Sequence, residues 1–250
     1  MAENVQVAAF ENYKAREGLT PNQIVHIFST VAEIYEETWK TKNYKDPEIL
    51  SDEVSDYFRG TETSSVRILD VGAGTGMVAE QLRKRGFIDI DGLDPSSGMR
   101  QEAMKKKVYK QYYLEFMDGH HIDSIATDTY DCVVAAGCFN MGLLPCAALT
   151  EIARLVKPGG LVCFAVFDHN FSAVPEYNNR LGPLMSRMEK EGVWDLFDKK
   201  RRTDSDMTGA VETVFRYTIK ASEIDALPLL AGFPANGSSI KIYNSNSICN

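Results

Sequence analysis

The chain has 250 residues, 44% hydrophobic and 25% charged, a composition that marks a soluble globular protein and excludes a disordered one. A formal net charge of −8 argues against nucleic acid as a partner, and no run approaches the roughly 18 apolar residues that a membrane helix needs. The first residues lack a basic segment followed by an apolar core, and the five cysteines form no Cys-x-x-Cys pair, so a cytoplasmic protein with free thiols and no metal site is expected.

The first element is a helix over Gly18–Trp39. Thr20 can cap it, Pro21 suits its first position and Gln23 completes a capping box. Ile24, Ile27 or Phe28, Val31 and Ile34 or Tyr35 follow at helical spacing. Residues 1–60 are therefore expected as a helical cap. Tyr35, Trp39 and Tyr44 are either packing residues or the wall of a pocket, since aromatic faces attract cations. His26 belongs to the helix surface or its packing.

From Val66 the pattern turns into strand, helix, strand, helix. "VRILDV" is a strand and Met77–Arg85 a helix. "IDIDGLD" is the second strand and Ser97–Lys107 the second helix. "YYLEFMD" (112–118) and "YDCVVAAG" (130–137) are the third and fourth strands. Ala147–Val156 is a helix that "KPGG" should stop, and "LVCFAVF" is the fifth strand. Short apolar strands alternating with helices predict a parallel sheet covered on both faces.

Beyond it, Tyr177–Val193 has helical periodicity, and "WDLFDKKRRTDSDMTG" reads as a polar loop. "VETVFRYTI" alternates as a strand, residues 222–233 form a helix interrupted by Pro228, and "SIKIYN" (239–244) is a final strand. The basic runs Lys105–Lys107 and Lys199–Arg202 lack interleaved aromatics and read as a helix end and a loop. The expectation is one α/β domain with a Rossmann-like, seven-stranded, mostly parallel sheet. Residues 66–167 form the cofactor-binding core, and 168–250 carry a 170–210 cap insertion and the last strands.

Three glycines, Gly72, Gly74 and Gly76, follow the first strand. Such a turn lets a ligand approach the backbone, and the first helical N–H groups then face it. A dinucleotide turn starting at Gly72 would want a small residue at 77, where Met77 stands. Asp70 also ends the strand just before the turn. A carboxylate there suits a sulfonium and an ammonium better than a pyrophosphate.

"LDVGAGTG" resembles the first motif of class I S-adenosylmethionine-dependent methyltransferases, with Asp70, Gly72, Ala73, Gly74 and Gly76 in place. "DGLDPSSGM" resembles their second motif, which implies that Asp94 takes both ribose hydroxyls, with Pro95 and Met99 beside it. Asp94 lies 18 residues past Gly76, the spacing of a ribose-binding acid in a βαβ unit, and its two oxygens can accept two charge-assisted bonds. "FMDG" implies that Asp118 meets the adenine amino group with Gly119 leaving room. "AAGCFN" implies that Ala136 and Gly137 run past the methionine moiety toward the acceptor. A narrower resemblance, on "LLPCAALTEIARLVKPGGLVCF" and "KEGVWDLF", is to the methyltransferase-like proteins named after the Williams–Beuren syndrome chromosome region. It implies fold and cofactor but no acceptor.

Methyl transfer needs alignment above all, worth roughly 7–11 kcal/mol, and a base only when the acceptor is protonated. His120, His121 and His169 are expected at the carboxyl ends of strands, with His169 the preferred base. Phe139 and Asn140 end the fourth strand, and Asn140 can orient a polar acceptor. The expected activity is methyl transfer to a small-molecule N, O or S nucleophile. A protein or RNA acceptor is the alternative, and a non-catalytic cofactor-binding protein the second.

Overall fold

A computed structural model of the chain describes residues 12–204 and 209–221. Helix α1 (Pro21–Val31) begins as its residues dictate. The Thr20 hydroxyl accepts from the Gln23 N–H, and the Gln23 side chain accepts from the Thr20 N–H at 2.8 Å. Its apolar stripe, Ile24, Ile27 and Val31, is buried. The expected single helix breaks after Val31 into a short 3-10 turn before α2 (Tyr35–Thr41). Across the break Phe28, Tyr35, Trp39 and Tyr44 meet in series, tilted or edge to face, with ring centroids 5.1–6.4 Å apart. Helix α3 (Asp46–Tyr57), which the sequence did not announce, follows with Pro47 in its first turn.

The strands are β1 (Arg67–Val71), β2 (Asp89–Leu93), β3 (Tyr112–Tyr113), β4 (Tyr130–Ala135), β5 (Val156–Phe167), β6 (Trp194–Arg202) and β7 (Glu212–Ile219). They form one sheet in the order β3-β2-β1-β4-β5-β7-β6. The β1 to β5 pairs are parallel, and β7 is antiparallel to both β5 and β6. The helices between and after the strands are α4 (Met77–Lys84), α5 (Ser97–Lys106), α6 (Ala148–Leu155), α7 (Asn170–Ala173) and α8 (Leu181–Lys190).

Alternation along each strand divides the core. Ile68, Ile90, Val134 and Cys163 point to the face covered by α3 and α4, where Leu50, Val54 and Leu82 are buried. Leu69, Val133, Val162 and Phe164 point to the other face, against Leu149 and Ile152 of α6 and Leu184 and Met188 of α8. Strands buried on both faces give the near-continuous apolar runs seen in the sequence.

Three expectations are corrected. Trp194–Arg202 is not a loop but the outermost strand. Its inward charges are paired, Asp198 with Arg216 and Lys200 with Glu53, so a polar stretch can lie on the sheet edge. "KPGG" does not separate α6 from the strand; it lies inside β5 as a bulge. Val156 pairs with Tyr130 before the register shifts to Cys132–Leu161, and a side chain at Gly160 would collide with the Asp131 carbonyl. The third strand spans two residues rather than seven, because β2, its partner among the described residues, ends at Leu93.

Of the stretch 170–210, α8 covers the sheet and β6 extends it, while residues 170–177 reach the strand ends. The expected helix 222–233, strand 239–244 and Cys249 lie outside the described residues. Cys132, Cys138, Cys146 and Cys163 are free and buried. Among the described residues, no group of three His, Cys, Asp or Glu is placed to hold a metal ion, and no helix is long and apolar enough to cross a membrane.

Candidate active site

The chain leaves β1 through the glycine turn at the carboxyl ends of the strands. The N–H groups of Gly72 and Ala73 both donate to the Leu93 carbonyl, at 2.8 and 3.1 Å, which ties the turn to the end of β2. Gly72 has φ +68, and a Cβ there would stand 2.2 Å from the Cys138 sulfur, so the close approach of the β4 loop requires glycine. Gly74, at φ +51, differs: a Cβ would meet nothing nearer than 3.8 Å. The side-chain position at Gly74 is open space, as a cradle for a ligand needs.

Asp94 crosses this cradle. One of its oxygens accepts from the Gly74 N–H at 3.2 Å and the other from the Ser96 N–H at 2.8 Å. Burial raises its carboxyl to about 6 despite these two donors. The Ser96 hydroxyl caps α5 by accepting from the Met99 N–H and bonds the Ser29 hydroxyl of α1 at 2.8 Å. Pro95 lies between the two, and Met99 is buried.

Asp70, 1% exposed, takes the Tyr109 hydroxyl on Oδ2 at 2.6 Å; among the described residues its Oδ1 has no well-formed hydrogen bond, the Ala79 N–H of α4 acting on the carboxylate only weakly. Burial lifts it to about 7, and the Asp94 charge adds to that. The Thr75 hydroxyl in the same turn is also buried without a partner. Buried polar atoms are nearly always bonded in native proteins. Two unsatisfied atoms, a carboxylate oxygen and a hydroxyl, within six residues of an open glycine fit a polar, cationic ligand.

The loop after β4 forms the second wall. Ala136 and Gly137 are partly exposed, and a Cβ at Gly137 would lie 2.5 Å from the Tyr44 hydroxyl. Cys138 donates to the Val71 carbonyl at 3.2 Å, and burial pushes its thiol well above the usual thiol range. The Asn140 carbonyl oxygen Oδ1 accepts from the Met141 N–H at 2.8 Å, so part of its side chain is spent on the loop itself. Phe139 is buried. Its backbone carbonyl is held at 2.9 Å by the Asn170 amide, and the Asn140 carbonyl at 3.0 Å by the Tyr177 hydroxyl.

The N-terminal segment lies over both walls. Ile24 packs on Gly142, Ser29 on Gly98 and Tyr44 on Gly137. Arg16 donates to the Met141 carbonyl at 3.4 Å, and burial lowers its guanidinium to about 10.

Asp118 is corrected in position. It does not end a strand but follows an irregular stretch five residues past β3, half exposed, and bonds the His120 ring at 2.5 Å. Gly119 packs on Ala147, where a Cβ would be 2.6 Å away, so this glycine serves the start of α6. His121 is exposed and faces Asp123. His169 is exposed at the end of β5, its ring stacked on Phe167 at 5.6 Å. Neighbouring Asp168 is held by Arg201 and Thr213. Tyr109, Tyr112, Asn170 and Arg16 were missed in the sequence. They belong to no motif, and their roles depend on which carbonyl or carboxylate the fold brings to them.

The methyltransferase domain family matches residues 39–201. Methyltransferase-like protein 27 of Homo sapiens is 31% identical over 173 residues, 69% of this chain and 69% of that protein. Among solved structures, a TehB-like S-adenosylmethionine-dependent methyltransferase from Corynebacterium glutamicum superposes with a TM-score of 0.55 at 20% identity, over 76% of this chain and 99% of that one. A chain of the Haloferax volcanii complex between the Trm112 methyltransferase activator and its candidate methyltransferase gives a TM-score of 0.56 at 18% identity, over 78% and 98%. These two likenesses concern the fold.

Proposed function

The chain belongs to the methyltransferase domain family and is an S-adenosylmethionine-dependent methyltransferase, and from that premise we propose that its acceptor is a small-molecule nitrogen, oxygen or sulfur nucleophile. Bound S-adenosylmethionine supplies an electrophilic methyl group on a sulfonium. The chain's own residues bind, orient and exclude water. Asp94 takes the ribose hydroxyls, with Pro95 and Met99 beside it. The turn Gly72–Gly76 and Asp70 receive the methionine end, and Ala136 and Gly137 flank it. Asp118 and Gly119 meet the adenine from the exposed side.

The observation that carries this reading is Asp94, suspended between the Gly74 and Ser96 N–H groups over an open glycine. A small acceptor is supported by the N-terminal segment, which packs on Gly98, Gly137 and Gly142 and so narrows the approach. Asn140 orients the acceptor with the amide group its loop leaves over. His169, at the exposed mouth, takes the proton of an acceptor that arrives protonated. The four buried free thiols support a cytoplasmic setting.

Asp94→Ala tests the site. Removing an acceptor of two charge-assisted bonds should cost S-adenosylhomocysteine affinity at least about 100-fold by calorimetry, at roughly 1.5–3 kcal/mol per bond. Unchanged affinity would overturn the assignment. The acceptor class is read by screening metabolite, protein and RNA fractions with methyl-labelled S-adenosylmethionine; labelled protein or RNA alone refutes it.

A further inference from the structure

The segment Val108–Tyr112, from the loop after α5 to the first residue of β3, lies directly against the glycine turn and belongs to no motif. Tyr109 donates to Asp70 Oδ2 at 2.6 Å and approaches the Ala73 carbonyl at 3.4 Å. Tyr112 donates to the Gly74 carbonyl at 2.8 Å. The two rings meet edge to face at 5.4 Å. Gly92 makes room for them: a Cβ there would stand 3.0 Å from Tyr112 and 3.1 Å from both Tyr109 and Ala73. Each hydroxyl is therefore aimed at the turn by a packed ring, and Gly74 is held through both of its flanking peptides, its N–H by Asp94 and its C=O by Tyr112.

We propose that Tyr109 and Tyr112 form a two-hydroxyl clamp, positioning residues that fix the glycine turn and orient the Asp70 carboxylate toward a cationic cofactor. This rests on the reading that the turn holds S-adenosylmethionine.

The two hydroxyls have different consequences. Burial pushes both phenols far above the ordinary tyrosine range, so they stay donors throughout the working pH range. Tyr109 acts on a titrating group. Burial raises Asp70 to about 7, and the neighbouring Asp94 raises it further, while Tyr109 and the Ala79 N–H of α4 oppose the rise. Cys132 in β4 and Cys138 beyond it also face Asp70, and burial keeps both thiols protonated. Losing the Tyr109 hydroxyl should therefore raise the Asp70 carboxyl again, so that it is protonated at neutral pH and ionised only in alkali. Tyr112 acts on a carbonyl that does not titrate.

The test is the pH profile of S-adenosylhomocysteine affinity, taken as the ratio of wild type to variant so that the ligand's own ionisation cancels. For Tyr109→Phe the ratio should be about tenfold at pH 7 and fall below about twofold at pH 9, as expected when a carboxylate loses one charge-assisted donor. For Tyr112→Phe a loss equal at every pH is expected. In the Asp70→Asn background Tyr109→Phe should add no pH dependence. Melting of the ligand-free variants checks folding. Should Tyr109→Phe not fold, the ratio of wild-type to Asp70→Asn affinity must still break near pH 7, the ligand and Asp94 titrating alike in both. A flat Tyr109→Phe ratio, or a wild-type profile that Asp70→Asn leaves unchanged, overturns the clamp alone. Wild type that binds no S-adenosylhomocysteine at any pH overturns the reading of the site, and the clamp with it.

Discussion

Asp70→Asn should make the ligand-free protein progressively more stable than wild type as pH rises. Asp70 is 1% exposed, and burial moves its carboxyl from 3.8 to about 7. A carboxyl with a raised folded-state pKa contributes stability below about pH 4 that is lost as pH climbs to and through 7. Three units at about 1.4 kcal/mol each set a ceiling of roughly 4 kcal/mol lost between pH 4 and pH 8. The variant has no such titration. Its amide still accepts from Tyr109 but adds a buried donor, at a pH-independent cost of about 1–3 kcal/mol. The measured quantity is thus the change with pH of the difference between the two proteins. Urea denaturation at pH 4.5, 6, 7 and 8 without ligand supplies it. The gap should widen in favour of the variant by about 2–4 kcal/mol across that range. Parallel curves would mean that Asp70 is ionised at no cost, and the account of its burial would be wrong.

Two further outcomes follow from packing. In Gly98→Ala the new methyl would stand 2.3 Å from the Ser29 carbonyl of α1, backbone that cannot swing aside. We expect about 1–3 kcal/mol of lost stability and faster limited proteolysis of the N-terminal segment; an unchanged melting point with unchanged cleavage would refute it. Arg216, 4% exposed, bonds Glu53, Asp56 and Asp198 and joins α3 to the sheet edge. Arg216→Met leaves the buried Glu53 with Lys200 alone and should cost about 1–3 kcal/mol in urea denaturation, and a loss below about 0.5 kcal/mol would show that the cluster holds little.

The parallel core was legible because its strands are buried on both faces and its turns carry glycines whose role is local. The capping box of α1 could be read for the same reason: Thr20 and Gln23 are three residues apart. Elements decided by distant partners were not legible. β6 carries Asp198, Lys200 and Arg202 on its inward side, and only Arg216, Glu53 and Asp204 make those charges tolerable there. β3 ends early because its described neighbour does, a fact about β2. In the site, Asp70 and Asp94 stand out by their spacing from the glycines. Tyr109, by contrast, is one aromatic among many until the fold places its hydroxyl on Asp70. Asp118 was misplaced because an apolar run was read as a longer strand than the sheet edge can pair.

Three glycines receive the N-terminal segment: Gly98 at the start of α5, beside the glycine turn, and Gly137 and Gly142 in the loop after β4, the wall proposed for the acceptor. On the proposed site, one stretch of chain is thus a shared wall between the two halves of the reaction. Donor and acceptor that both press on it are thermodynamically linked, and any factor by which one tightens the other must be returned in equal measure. On the proposed site, remodelling Ile24 or Tyr44 to admit a different acceptor is expected to retune the grip on the methyl donor as well. If the proposed site holds both ligands against that wall, selectivity and cofactor affinity move together.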